Sequence, residues 1–250
     1  MTERHDDSSI MFIHFTHIIF KNKKMIDKHH QPLYLPHGKI FQIKNPLRRT
    51  LNMWSSLIPT APEGISVDDF FTHFIPDQFN KMKELLNVVD LSFLAGKDFN
   101  MQYNIEGKVY GVKFKNAKDV EVVQGTIDNP VFTLFIAEKD WRDAVTGKFN
   151  KLADDFSGDP TFFIDAKRYK ALLSTKGTVN LNLKKDDGAI LALKIVFNNA
   201  EKPTVTINMD MLDGLDMMSR KVTGQTLFMN GKMKFTGDMI LLMKLQSLTA

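Results

Sequence analysis

The groups in this chain that could do chemistry are its histidines and its paired aspartates. His14-x-x-His17 and His29-His30 place imidazoles close enough to begin a metal-ligand set. A hydrolytic zinc centre of the helical kind needs a glutamate between its histidines and a third ligand farther on, and neither pair has them. They read as solvated or packed side chains. Carboxylate pairs stand at Asp68-Asp69, Asp154-Asp155 and Asp186-Asp187. Each sits at a turn or a helix start, where aspartate ordinarily accepts backbone hydrogen bonds rather than trading protons with a substrate. The chain has no G-x-S-x-G elbow, no phosphate-binding glycine loop, no G-x-G-x-x-G and no H-E-x-x-H. Zero cysteines remove a thiol nucleophile, a zinc-thiolate site and a disulfide framework. The expectation is therefore no catalytic residue, no metal and no cofactor, in a protein that is not an enzyme.

The positive signal is methionine. Eight of the fourteen (Met209, Met211, Met217, Met218, Met229, Met233, Met239 and Met243) lie beyond residue 208. Methionine is unbranched and polarisable and fits irregular apolar shapes, although a stripe of it at helical spacing is ordinarily core. Burying a methylene is worth about 0.8 kcal/mol, so a sixteen-carbon chain could gain on the order of 12 kcal/mol before ordering costs. An apolar guest can thus be held without a polar anchor.

These residues must be positioned by the elements around them. Val205, Ile207 and Met209 alternate with Thr206 and Asn208, the period of a strand with one buried face. Leu212, Leu215, Met218 and Val222 follow at helical spacing, with Gly224 as the expected stop. In Gly231–Gly237, Met233 and Phe235 alternate with Lys232, Lys234 and Thr236, predicting a strand with an apolar inner and a basic outer side. Asp238 then caps a final helix carrying Met239, Leu242, Met243 and Leu245.

Upstream, Ser66-x-x-Asp69 is a variant capping box. Phe70, Phe74, Phe79, Met82, Leu85, Leu86 and Val89 behind it predict two short helices broken at Pro76. Phe99, Met101, Tyr103 and Ile105 begin a set of four strands. Gly107 turns into Tyr110, Val112 and Phe114, then come Val120–Val123 and Phe132, Leu134 and Ile136, all expected as an antiparallel meander. A helix over Glu138–Thr146 closes on Val145-Thr146-Gly147. Residues 1–64 show no sustained period and are expected to be a partly ordered extension, set off by Pro59, Pro62 and Gly64.

Part of this order occurs twice. Pro130-Val-Phe-Thr-Leu-Phe-Ile and a helix ending VTG return as Pro203-Thr-Val-Thr-Ile-Asn-Met and a helix ending VTG, and Thr161–Lys167 returns as Thr226–Lys232. FNMQYNI is answered by VNLNLKK, with Asp186-Asp187-Gly188 as the second hairpin turn. The chain's Val222-Thr223-Gly224, Leu227-Phe228, Gly231–Asp238 and Leu242–Leu248, in that order, resemble the sterol carrier protein 2 (SCP2) domain, and DDFFTHFIPDQFN is similar to the helix that opens such domains.

The resemblance implies an α+β fold. An SCP2-like curved, mainly antiparallel β-sheet would carry helices that enclose an apolar cavity. The internal repeat suggests two fused units, residues 65–176 and a shortened 177–250 with a Met-rich C-terminal helix. The implied function is non-enzymatic binding or carriage of an acyl, sterol-like or isoprenoid lipid. The expected lining is Phe132, Leu134, Ile136, Val205, Ile207, Met209, Met218, Met233, Phe235, Met239 and Met243. The rival readings are an accessory module that presents such a substrate to a partner enzyme of lipid metabolism, and an enzyme using the same cavity.

A net charge of +4 is too small and scattered for nucleic acid, though lysines 232, 234 and 244 suit transient contact with an anionic membrane surface. The apolar run Ile10–Phe20 is shorter than the roughly 20 residues of a span, and Glu3, Asp6 and Asp7 stand where a secretory leader would be basic. A cytoplasmic location is expected.

Overall fold

Strict alternation of apolar and polar residues builds the frame, and the partner each strand finds decides its shape. The computed structural model describes residues 60–86, 98–116, 119–148, 166–218 and 221–249. Its strands are β1 (Asp98–Ile105), β2 (Lys108–Lys115), β3 (Asp119–Gln124), β4 (Phe132–Ile136), β5 (Gly177–Lys184), β6 (Ile190–Phe197), β7 (Thr204–Asp210) and β8 (Met233–Gly237). They form one continuous sheet in the order β3-β2-β1-β4-β6-β5-β7-β8. Every neighbouring pair is antiparallel except β1 with β4 and β5 with β7. The fold is α+β with a mainly antiparallel sheet, as the resemblance implies.

The register sorts the side chains. Met101 lies opposite Val112 and beside Phe132, and Phe132 lies opposite Phe197, so these apolar residues share one face; Gln102, Thr133 and Val196 share the other. The apolar face is covered by helices. These are a helical run made of α1 (Val67–Asp69), a π-helical turn (Phe70–Phe74) and α2 (Ile75–Leu86), followed by α3 (Glu138–Val145), α4 (Ala166–Ser174), α5 (Met211–Met218), α6 (Gly224–Met229) and α7 (Met239–Thr249).

Three sequence expectations change here. The fourth strand does not extend the meander beyond β3; it returns and lies parallel on the far side of β1. The returning chain crosses the β1–β2 pair where Gln102 faces Gly111. Ile127 donates its backbone N–H to Gln102 Oε1 at 2.9 Å, and a Cβ at position 111 would collide with the Ile127 side chain. Gly111 is therefore the saddle of the crossover. Replacing it with valine should destabilise the protein by about 1–3 kcal/mol through overpacking. A thermal melt unchanged from that of the native chain would refute this account.

Second, Pro76 does not break the first helical run. The Ile75 N–H reaches back to the Phe70 carbonyl, and this wider turn carries the helix past a residue that has no N–H to give. Ser66 accepts from the Asp69 N–H at 2.9 Å, the expected cap. Third, Gly224 opens a helix rather than closing one. Thr223 accepts from the Thr226 N–H at 3.1 Å, and α5 has already ended at Met218. A capping threonine directly before the glycine outweighs the glycine's stop signal.

The two ends of the apolar face differ in chemistry. Over β1, β2 and β4 the packing is aromatic: Phe71 stacks on Tyr110 at 4.5 Å, Phe70 meets the edge of Trp141 at 5.3 Å, and Phe79 lies 5.8 Å from Phe114. Over β5, β7 and β8 it is aliphatic and thioether, with Leu183, Leu191, Leu193, Ile207, Met209 and Met233 buried.

The apolar face under the C-terminal helices as candidate functional site

β7 and β8 bring the first group of expected lining residues together. Met209 faces Met233, Ile207 faces Phe235, and Val205 faces Gly237 on one side of an antiparallel pair. Val205, Ile207, Met209 and Met233 are buried, and Phe235 is half-buried against Phe228 at 5.3 Å between ring centroids. Gly237 has φ +104, and a Cβ there would strike the Thr204 carbonyl, so only glycine lets the two strands close at this corner.

Phe132, Leu134 and Ile136 are also buried on the same face. They belong to β4, which β6 and β5 separate from β7. At about 4.8 Å per strand, this second group lies roughly 14 Å from the first. Phe132 packs edge-on against Tyr103 at 6.2 Å. Met218 falls at the end of α5, and its side chain is outside the described set.

The final helix divides its apolar residues between two sides. Asp238 caps it by accepting from the Leu241 N–H at 2.7 Å. Leu241 and Leu242 are buried, with Leu245 and Leu248 partly so, while Met239 and Met243 stand 52% and 61% exposed. Ile240, Phe228, Met229 and Leu212 are exposed as well, giving three successive helices an apolar outer surface.

Sequence reasoning missed several neighbours. Leu181 and Leu183 of β5 and Leu191 and Leu193 of β6 join the same face, and their alternation was the available signal. Gly214 of α5 sits where a Cβ would come within 2.9 Å of Leu183 Cδ2 and 3.3 Å of Met209 Sδ, so the helix rests almost directly on the sheet. Met211 and Met217, partly buried, extend the apolar wall.

Two lysines at this end are paired with aspartates of α5. Lys232 Nζ lies 2.7 Å from Asp213 Oδ1, and the carboxylate holds the lysine above its ordinary range. Lys221 pairs with Asp216 at 3.7 Å. Lys234 is exposed on the side of β8 away from Met233 and Phe235, as alternation requires.

The residues first singled out for chemistry lie apart from this face. His14, His17, His29, His30, Asp154 and Asp155 are outside the described residues. Asp187 serves the β5–β6 turn, accepting from the Ala189 N–H at 2.9 Å. Asp68 accepts from the Tyr110 hydroxyl and, at 3.0 Å, from Gln124 Nε2. The Tyr110 hydrogen bond holds the Asp68 carboxyl below its usual range, and burial together with that bond pushes the phenol up to about 12. They border an open depression of about 570 Å³ with Lys108, Val109 and Thr126, on the opposite half of the sheet. Among the described residues, no group of three or more His, Asp or Glu could hold a metal ion, and no helix is long and apolar enough to cross a membrane.

Comparison with known proteins bears on the C-terminal part. A search of the curated proteins found no match. Among solved structures, the solution structure of the sterol carrier protein domain 2 of Helicoverpa armigera is 27% identical over 32% of this chain and 72% of that chain, with a TM-score of 0.28. Residues 161–250 match the family model described as the SCP-2 sterol transfer family. That range contains β5 to β8 and α5 to α7, the elements that build the methionine-rich face. Lipid binding or carriage is the role this family implies, and over residues 161–250, about a third of its length, this chain is similar to the SCP-2 sterol transfer family.

Proposed function

We propose that this protein is a non-enzymatic lipid carrier that holds one acyl, sterol-like or isoprenoid molecule between the apolar sheet face and the C-terminal helices. The observation that carries the reading is the concentration of Met209, Met211, Met217 and Met233, with Ile207 and Phe235, on the face built by the family-matched segment. Such a wall adapts to an irregular apolar guest and needs no charged anchor. Val205 completes the proposed wall beside them, and Met239 and Met243 form its rim, where the exposed surface of α7 meets water. Phe132, Leu134 and Ile136 continue the same apolar face on β4, roughly 14 Å from that wall.

Delivery then requires brief contact with a membrane or with a protein that accepts the lipid, in the cytoplasm. The exposed residues Leu212, Phe228, Met229 and Ile240 suit such a contact. With Lys232 already engaged by Asp213, the attraction to anionic lipid is shared by fewer cations. Native mass spectrometry of the protein as purified, followed by lipid extraction, tests the reading. A bound species of a few hundred daltons that extracts into organic solvent is the expected result. A chain that stays at its apo mass when incubated with fatty acid, sterol and isoprenoid alcohol would overturn it.

A further inference from the structure

The two halves of the sheet follow one plan and differ in what fills them. Each begins with a hairpin, β1–β2 or β5–β6, and continues with a strand parallel to the hairpin's first member, β4 or β7. The parallel pairings give the correspondence. Leu134 stands four residues after Pro130 and Ile207 four after Pro203; Leu134 pairs with Tyr103, and Ile207 pairs with Leu181. On the other side, Tyr103 faces Tyr110 and Leu181 faces Leu193. Tyr103 and Leu181 therefore hold the same place, each on the apolar side of the middle strand of its half.

What lies over them is not the same. Phe71 stacks on Tyr110 at 4.5 Å with the rings 4° from parallel, and its ring centre is 5.2 Å from that of Tyr103, which has no exposed surface at all. Leu181 is only half-buried, although both of its cross-strand neighbours, Leu193 and Ile207, are buried. A leucine that keeps some exposed surface on an interior strand, between buried neighbours, points to a cover above it that is less complete than the one over Tyr103. Around it stand Leu183, Met209 and Phe235, residues that close over an apolar body better than over water.

We propose that the chain holds a single lipid, seated over Leu181 in the C-terminal half, and that Phe71 permanently occupies the equivalent place over Tyr103 in the first half. This rests on the lipid-carrier reading and adds the position and the number of the sites. The first half acts as a rigid platform whose own aromatic side chain takes the part of a ligand. Among the described residues the second half has no such insert, which leaves the seat for one flexible or ring-bearing aliphatic molecule.

The test is photolabelling of the full-length protein with a sixteen-carbon fatty acid carrying a diazirine near its methyl end, read by mass spectrometry of the peptides. One adduct per chain is expected, confined to residues 177–249, and Leu181→Trp, which fills the seat, should reduce it at least tenfold. An adduct within residues 65–148 of the native protein would overturn the proposal. So would undiminished labelling of a Leu181→Trp protein that melts like the native one, and if that variant does not fold, the map on the native chain decides by itself. Absence of any adduct, together with absence of any bound lipid in the purified protein, would instead remove the carrier reading on which the proposal stands.

Discussion

Expressed separately, residues 65–176 and 177–250 will each fail to give a cooperatively melting protein, whereas the whole chain will unfold in one transition. The cut runs through the sheet's interior. β4 and β6 pair along Phe132–Phe197, Thr133–Val196, Leu134–Ile195 and Phe135–Lys194, so separation leaves two bare strand edges in the middle of what was a continuous sheet. Burial of Phe132, Leu134, Ile195 and Phe197 at the seam is worth roughly 1.5–3 kcal/mol each if lost entirely. Their sum, on the order of 6–12 kcal/mol, is comparable with the whole stability of a typical domain at about 5–15 kcal/mol.

Polar ties cross the same line. Lys185 Nζ of the second hairpin lies 2.7 Å from Asp140 Oδ1 of α3, with both side chains largely buried. Asn198 donates its backbone N–H to the Val131 carbonyl at 2.9 Å, and its Nδ2 donates to the Thr175 carbonyl at 2.6 Å. Removing either partner of a buried charge pair costs more than the pair contributes when intact. A sharp melt and a well-dispersed amide spectrum from either fragment would show that the halves are independent.

Deleting Asp238–Ala250 should reduce affinity for a fluorescent fatty acid at least tenfold while leaving most of the strand signal in circular dichroism. Leu241 and Leu242 are among the buried residues of the core, and the helix that carries them packs on β7 and α4. Leu241 Cδ2 would lie 2.8 Å from a Cβ placed on Gly177, so the helix lies against the start of β5 as closely as backbone allows. Its removal uncovers the apolar side of β5 and β7, the wall of the proposed seat, but leaves the β7–β8 ladder bonded as before. Unchanged affinity in a folded truncated chain would sink the assignment of the helix as a cover.

The strands were legible because alternation is a local signal. Phe99 to Ile105, Val205 to Met209 and Met233 with Phe235 each declare which side chains share a face, and the observed register agrees with that reading. The resemblance to the SCP2 family was likewise carried by short stretches read in order, and the family match over 161–250 covers most of them. Capping was legible for the same reason. Ser66 and Asp238 bind N–H groups within three residues of themselves.

Tertiary structure decided what depends on a distant partner. Nothing near Gly125 tells β4 to cross to β1; that choice rests on Gly111 leaving room for Ile127 from another strand's loop. Pro76 reads locally as a break, yet packing of Phe70 and Phe71 on Trp141 and Tyr110 holds the helix through it in a wider turn. The run Met239–Met243 is apolar all round, so helical period cannot choose its inner side. Contact with β7 and α4 turns Leu241 and Leu242 inward and leaves Met239 and Met243 at the surface. The contrast between Phe71 over Tyr103 and the less complete cover over Leu181 is of the same kind: equivalent residues, read alone, are simply apolar, and only the helix packed above one of them makes the two halves differ.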